Sequence, residues 1–121
     1  MDTLNGVECR FLEFRFLPDQ ARLLRGKDEI DLSPKCFQFL SVLISASNAV
    51  VYREALFELL WNGRSVSDEC LAQVVAQTRR TLGDSAARQR IVKTVPKLGY
   101  RFVPNVELIT LKNQPVKEIA Y

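Results

Sequence analysis

SDECLAQVVAQTRRTLGD, residues 67–84, reads as a helix that carries its own start, stop and two distinct faces. Ser67 suits the N-cap, and Asp68 and Glu69 place negative charge where the helix dipole favours it. Gly83-Asp84 ends the run. At 100° per residue, Leu71, Val75, Thr78 and Leu82 fall within about 60° of one another and form the core stripe. Glu69, Gln73, Ala76, Gln77 and Arg80 lie on the opposite side, so the exposed face offers two amides, a small residue and an arginine.

Downstream, IVKTVPKLGYRF (residues 91–102) predicts a β-hairpin: a strand over 91–95, a Pro96-Lys97-Leu98-Gly99 turn with a basic tip, and a return strand over 100–103. Upstream, Ser33 caps and Pro34 opens a helix whose apolar positions are Phe37, Leu40, Leu43 and Ile44, with Phe39 alongside and Asn48 at the stop. A second helix runs from Arg53 to Trp61 on Leu56, Leu59 and Leu60, and Asn62-Gly63 breaks it. Before these, residues 10–32 alternate as three short strands around Phe14 and Phe16, Ala21 to Arg25, and Glu29 to Leu32, an antiparallel meander. The order is that of an α+β winged helix-turn-helix: an N-terminal antiparallel sheet, a three-helix core and a C-terminal β-hairpin wing. The expected domain is 10–104, with residues 1–9 as an N-terminal extension and 105–121 as a tail or linker.

Charge adds a direction. The segment Arg64–Arg101 holds eight basic residues against Asp68, Glu69 and Asp84, or 8 − 3 = +5, while the whole chain is +3. The remainder is therefore −2. One basic half in a single small domain suggests a polyanion partner, and a merely solvated basic face is the plainer alternative.

Several chemistries drop out. The 121 residues contain no His, which excludes a Ser-His-Asp triad, a Cys-His pair and His-ligated metal. Cys9, Cys36 and Cys70 are spaced by 27 and 34 residues, with no CxxC pair, and read as reduced thiols. No catalytic set, cofactor or metal site is expected. The longest uncharged stretch, Cys36–Tyr52, is 17 residues long and interrupted by polar side chains, shorter than a membrane span. The N-terminal MDTLNGVECRF has no basic segment leading into an apolar run, so a cytoplasmic domain is expected.

LSPKCFQFLSVL, VYREALFELLW, VSDECLAQVVAQTRRTLGD and IVKTVPKLGYRF, in that order and spacing, resemble the OmpR/PhoB-type winged-helix effector domain, and most of all its ToxR/CadC-like subgroup. The likeness covers roughly residues 12–104. It implies double-stranded DNA binding by a bacterial transcription regulator, with the third helix in the major groove. Carried over position by position, it implies base reading by Cys70, Gln73, Val74 and Gln77. Arg79, Arg80, Thr94 and Lys97 would contact the DNA backbone, either arginine having Asp84 or another acid as an alternative partner. The segment Asn62–Val66, with Asn62, Gly63, Arg64 and Ser65, would be the loop that contacts RNA polymerase. It also implies a tandem dimer on DNA and the cytoplasmic head of a membrane-anchored one-component regulator; a monomer in isolation is expected because no extended apolar seam remains once the core is assigned. A winged-helix protein-interaction module without DNA binding is the competing expectation.

The sequence departs from that pattern at Cys36, where Glu is usual, at Tyr52, where a capping Ser or Thr is usual, and at Thr78, where Leu is expected. Pro96 replaces a wing Arg, as in the ToxR-like subgroup, and removes phosphate contact at that position. Trp61 is read as packing between helices, with an exposed partner-binding role as the alternative. Cys70 is read as a small apolar filler, with a redox switch as its alternative.

Overall fold

The computed structural model describes residues 6–110. Strands β1 (Val7–Phe11), β2 (Phe14–Leu17), β3 (Arg22–Arg25) and β4 (Asp28–Glu29) come first, followed by helix α1 (Pro34–Ser45). A short strand β5 (Val51–Tyr52) leads into α2 (Arg53–Trp61) and α3 (Asp68–Thr81). The chain then forms the hairpin β6 (Val92–Val95) and β7 (Gly99–Phe102), and ends in β8 (Glu107–Thr110).

Two antiparallel sheets bracket the helices, one five-stranded in the order β4-β3-β2-β1-β8 and one three-stranded in the order β5-β7-β6. The expected fold class holds. The boundaries differ at both ends: β1 begins inside the expected extension, and the expected tail begins as β8, with Cys9 opposite Leu108 and Arg10 opposite Glu107. Neither strand stands out alone, because each is defined by pairing with the other. Residues 111–121 of the expected tail lie outside the described residues.

The core fills the space between the sheets. Cys9, Phe11, Phe14, Phe16 and Leu23 from the first sheet meet Phe39, Leu40 and Leu43 of α1, Leu56 and Leu60 of α2, and Leu71 and Val75 of α3. Val92 and Phe102 close it from the second sheet, the Phe102 ring standing edge-on to Phe11 at 5.0 Å. Burying one such side chain is worth roughly 2–3 kcal/mol, so these contacts orient α3 relative to both sheets. Trp61 is half-buried against this core, with the Lys35 ammonium of α1 5.6 Å from its ring centre.

Local signals act mostly as the sequence predicts. Ser33 Oγ accepts from the Cys36 N–H at 3.3 Å, and Pro34 opens α1. Asn48 takes a left-handed φ of 71° at the stop after α1, and its Nδ2 donates to the Phe102 carbonyl at 2.7 Å, tying that stop to the second sheet. Ser67 is the N-cap of α3 without a side-chain cap bond, since its Oγ sits 3.7 Å from Cys70 Sγ instead. Among the described residues no helix is long and apolar enough to cross a membrane.

Candidate nucleic-acid interface

The outward side of α3 carries the side chains that the helical wheel places there. Glu69, Gln73, Ala76, Gln77 and Arg80 are all exposed, while Leu71, Val75, Thr78 and Leu82 are buried. Cys70 is half-buried at the edge of this face. Gln73 and Gln77 lie one turn apart, which aligns two amides along one line.

Two expected contacts are corrected. Val74 is only 8% exposed; three residues after Leu71 and four before Thr78, it borders the core stripe and packs inward, so it offers no side chain to a base. Arg79 is 7% exposed, and its guanidinium turns into the protein. Nε and Nη2 donate to the Val92 carbonyl at 3.1 and 3.0 Å, and Nη2 donates to Thr94 Oγ1 at 2.9 Å. Burial holds the Arg79 pKa below the usual arginine range, the nearby Asp84 charge opposing that effect. Arg79 is thus a strut between α3 and the wing rather than a free cation for phosphate. The same bond fixes Thr94, whose hydroxyl accepts from Arg79 and keeps its own proton to donate outward.

The wing is held on from both ends. Asp84, just past α3, is 7% exposed and accepts from the Arg90, Ile91 and Val92 N–H groups at 2.8, 2.8 and 3.1 Å. Burial alone would raise its pKa, but the backbone N–H bonds outweigh that and keep the carboxyl below its usual value. At the far end, the Arg53 N–H donates to the Leu98 carbonyl at 2.9 Å, docking the start of α2 on the wing turn. The Arg53 guanidinium also reaches Asp68 at 3.0 Å, joining α2 to the first turn of α3.

Gly99 permits this docking, because a Cβ there would lie 2.0 Å from the Val51 carbonyl oxygen. Lys97 takes φ 70° at the tip of the turn and is exposed. Asn62, Gly63, Arg64 and Ser65 are all exposed between α2 and α3, with φ 53° at Asn62 and 75° at Gly63.

Sequence reasoning used Arg53 only as the start of α2, and Asp84 only as a helix stop and alternative arginine partner, and missed that both hold the wing. The signal for Asp84 was present: an acid at a helix C-terminus opposes the dipole, so it needs donors from elsewhere. Arg53 gave no local signal for this role, since Asp68 and the Leu98 carbonyl are distant in sequence.

Ion pairing divides the molecule. Arg10 and Arg15 both bond Glu8, Arg22 pairs with Glu29 and Arg25 with Glu13. Among the described residues no ion pair engages Arg64, Arg80, Arg88, Arg90, Lys93, Lys97 or Arg101. No described group of His, Cys, Asp or Glu could hold a metal ion.

Three helices, a recognition-type third helix and a hairpin against its end define a winged-helix domain. Residues 26–102 match the family described as "Transcriptional regulatory protein, C terminal", and the chain belongs to that family, the OmpR/PhoB-type DNA-binding domain of transcription regulators. The cholera toxin transcriptional activator of Vibrio cholerae is 32% identical over 98% of this chain and 43% of its own length. The chain thus spans less than half the length of the curated relatives it matches. Two solved folds superpose closely. The DNA-binding domain of Escherichia coli CadC has a TM-score of 0.71 at 24% identity, covering 83% of this chain and 94% of that one. That of Klebsiella pneumoniae RstA, solved in complex with the RstA box, has a TM-score of 0.72 at 24% identity, covering 79% and 96%. The resemblance read from the sequence holds, including its ToxR/CadC-like character.

Proposed function

We propose that this domain binds double-stranded DNA sequence-specifically as the effector of a bacterial transcription regulator, with α3 in the major groove and the wing on the adjacent backbone or minor groove. The observation that carries this is the α3 face of Gln73, Gln77 and Arg80, continuous with a wing whose cations have no described acidic partner. Each Gln can offer a base a paired donor and acceptor, matching adenine N6 and N7. Arg80, Thr94 and Lys97 suit phosphates, which take half or more of protein–DNA hydrogen bonds. An acidic or apolar α3 face would instead favour a protein-interaction module, and this face is neither.

The reading extends to the rest of the regulator. The domain acts without enzymatic activity or cofactor, in the cytoplasm. It is monomeric when free, and two copies occupy tandem half-sites on DNA. The Asn62–Ser65 loop, exposed and off the α3 face, contacts RNA polymerase in an activator. The full-length protein is anchored by a membrane span, and tethering raises the local concentration of the domain near its DNA.

The test is a footprint on promoter fragments of the source genome, followed by a salt titration. With about four to six phosphate contacts, log affinity falls against log salt with a slope near −0.9 per contact. Absence of DNA affinity at every salt concentration overturns the reading. Substituting Arg64 and Ser65 lowers activation without lowering operator affinity if the loop meets polymerase. Sequencing the gene past Tyr121 tests the anchor: a span of about 20 apolar residues supports it, and a complete reading frame without one rejects it.

A further inference from the structure

The basic segment Arg64–Arg101 holds three acids, Asp68, Glu69 and Asp84. Two of them have partners. Asp68 Oδ1 meets the Arg53 guanidinium at 3.0 Å, and Asp84 accepts from three backbone N–H groups. Glu69 is different: among the described residues its side chain enters no ion pair and no hydrogen bond. It is exposed, four residues before Gln73 and eight before Gln77. At 100° per residue these positions drift by only about 40° per step, so the carboxylate heads the line that the two amides continue.

A free carboxylate on this face needs a reason. The helix dipole favours an acid in the first turn, but Asp68 already supplies one to α3. With α3 in the major groove, Glu69 comes close to phosphates, and an unused negative charge there weakens binding to every sequence. A donor on the DNA offsets that repulsion. An ionised carboxylate has acceptors only. The major-groove edges of the bases present one kind of donor, the exocyclic amino groups of cytosine N4 and adenine N6, whereas guanine and thymine present the acceptors O6 and O4. A carboxylate therefore attracts the amino bases and repels the keto bases, which a glutamine, being donor and acceptor at once, does not. The N-terminal residues of a groove helix are also the ones that reach base edges.

We infer that Glu69 is a specificity-determining residue whose carboxylate accepts a hydrogen bond from the exocyclic amino group of a cytosine or adenine in the operator. The inference rests on the DNA-binding reading above and adds to it a position at the leading end of α3. Asp68 does not share the role, because Arg53 already holds its carboxylate. The two kinds of side chain on the line then divide the work. Gln73 and Gln77 add affinity and tolerate several bases, while Glu69 lowers affinity for all sequences and restores it only where an amino group meets it.

The experiment selects bound sequences from a duplex library with a randomised core of about two helical turns, using the full chain, and reads the base frequencies. The wild-type chain enriches an amino base over the keto bases by about fivefold or more at one position of the half-site, and whether that base is cytosine or adenine identifies the donor. Glu69→Ala loses this preference and keeps those at the other positions. Glu69→Gln, which preserves the shape and gains an N–H donor, readmits guanine or thymine there. Both variants bind a mixed-sequence duplex near 0.1 M salt about two- to fivefold more tightly, as the repulsion from phosphates is removed. Glu54→Ala is the matched control: it removes the same charge from the same second position of α2, off the α3 face, and leaves the base preferences unchanged.

Unchanged base preferences in Glu69→Ala, with or without tighter binding, overturn this inference while sparing the α3 interface, and leave Glu69 as a charge that serves the helix dipole. Preferences lost at every position together overturn it as well, since the effect then belongs to the placement of α3. An equal change in Glu54→Ala assigns the effect to net charge and also removes the role. No enrichment by the wild-type chain at any salt concentration overturns the DNA reading itself.

Discussion

The arginines of the five-stranded sheet and those of the α3-to-wing segment are chemically identical and structurally opposite. Arg10, Arg15, Arg22 and Arg25 each face a glutamate, and Glu8, only 5% exposed, serves two of them. Hydrogen bonding from Arg15, joined by Arg10 and opposed by burial, holds the Glu8 pKa below its usual value. At the other end, Asp84 is occupied by three backbone N–H groups, and among the described residues no acid pairs with Arg80, Arg88 or Arg90. A paired arginine is neutralised within the protein. An unpaired exposed one is available to a polyanion, so pairing separates the proposed binding side from the rest more sharply than net charge does.

The largest effect expected comes from Gly99, where the wing lies against β5 and the start of α2. Gly99→Ala would place Cβ against the Val51 carbonyl oxygen and Tyr52 Cα, backbone atoms that cannot rotate away. Separating β5 from β7 costs more than about 3 kcal/mol and detaches the wing from the start of α2. Chemical denaturation should show the loss, and DNA affinity should fall with it. A variant with wild-type stability would mean that the wing is not clamped as described.

Asp84→Ala ranks next. It strips acceptors from three N–H groups, two of them buried, at a cost of about 2–3 kcal/mol. The pH dependence has a defined sign. The folded pKa lies below the reference value of 3.8, so the contribution is complete above that value and is lost as pH falls through the folded one. Glu8 acts in the same direction at the sheet end. Acid melts of Asp84→Ala and Glu8→Gln should each lose part of the low-pH destabilisation, and the double variant should lose more than either.

Arg79 and Arg80, adjacent in sequence, give the sharpest contrast. Arg79→Ala should lower stability by about 2 kcal/mol, because it leaves the Val92 carbonyl and Thr94 without their donor. Arg80→Ala should leave the melting temperature within a degree or so and weaken DNA binding about tenfold at low salt. If the two behave alike in both assays, burial does not separate a strut from a contact.

That contrast also marks what the sequence discloses. The limits of α1, α2 and α3, the amide-and-arginine face, and the hairpin with its Lys97 tip all follow from periodicity, caps and turn residues, which are local. Val74 was open to the same reasoning, since it borders the stripe on the wheel and an apolar side chain at that border turns inward. Arg79 was not. A helical wheel puts it at the border, and only the arrival of the Val92 carbonyl, 13 residues later, decides that it turns inward. β8 is invisible for a similar reason: Glu-Leu-Ile-Thr becomes a strand by finding β1 about 100 residues earlier. Local chemistry sets the elements, and long-range pairing sets which polar groups remain free.

Thr78 tests the rule that unpaired polar groups mark the binding side, because it is unpaired and fully buried. A helical threonine ordinarily donates to the carbonyl four residues back, here Val74. Cys36 Sγ from α1 occupies that carbonyl at 3.7 Å, and the Thr78 hydroxyl has no other partner. No DNA can reach it, so the group is a cost rather than a contact. Thr78→Val keeps the shape and removes the orphan hydroxyl. Stability should rise by about 1 kcal/mol, the lower end of what an unsatisfied buried group costs. That corresponds to roughly 4–8 °C in melting temperature for a domain of this size. Operator affinity and salt slope should not move. A loss of affinity with unchanged stability would place Thr78 in the interface after all, and would mean that exposure does not separate functional from structural unpaired groups in this domain.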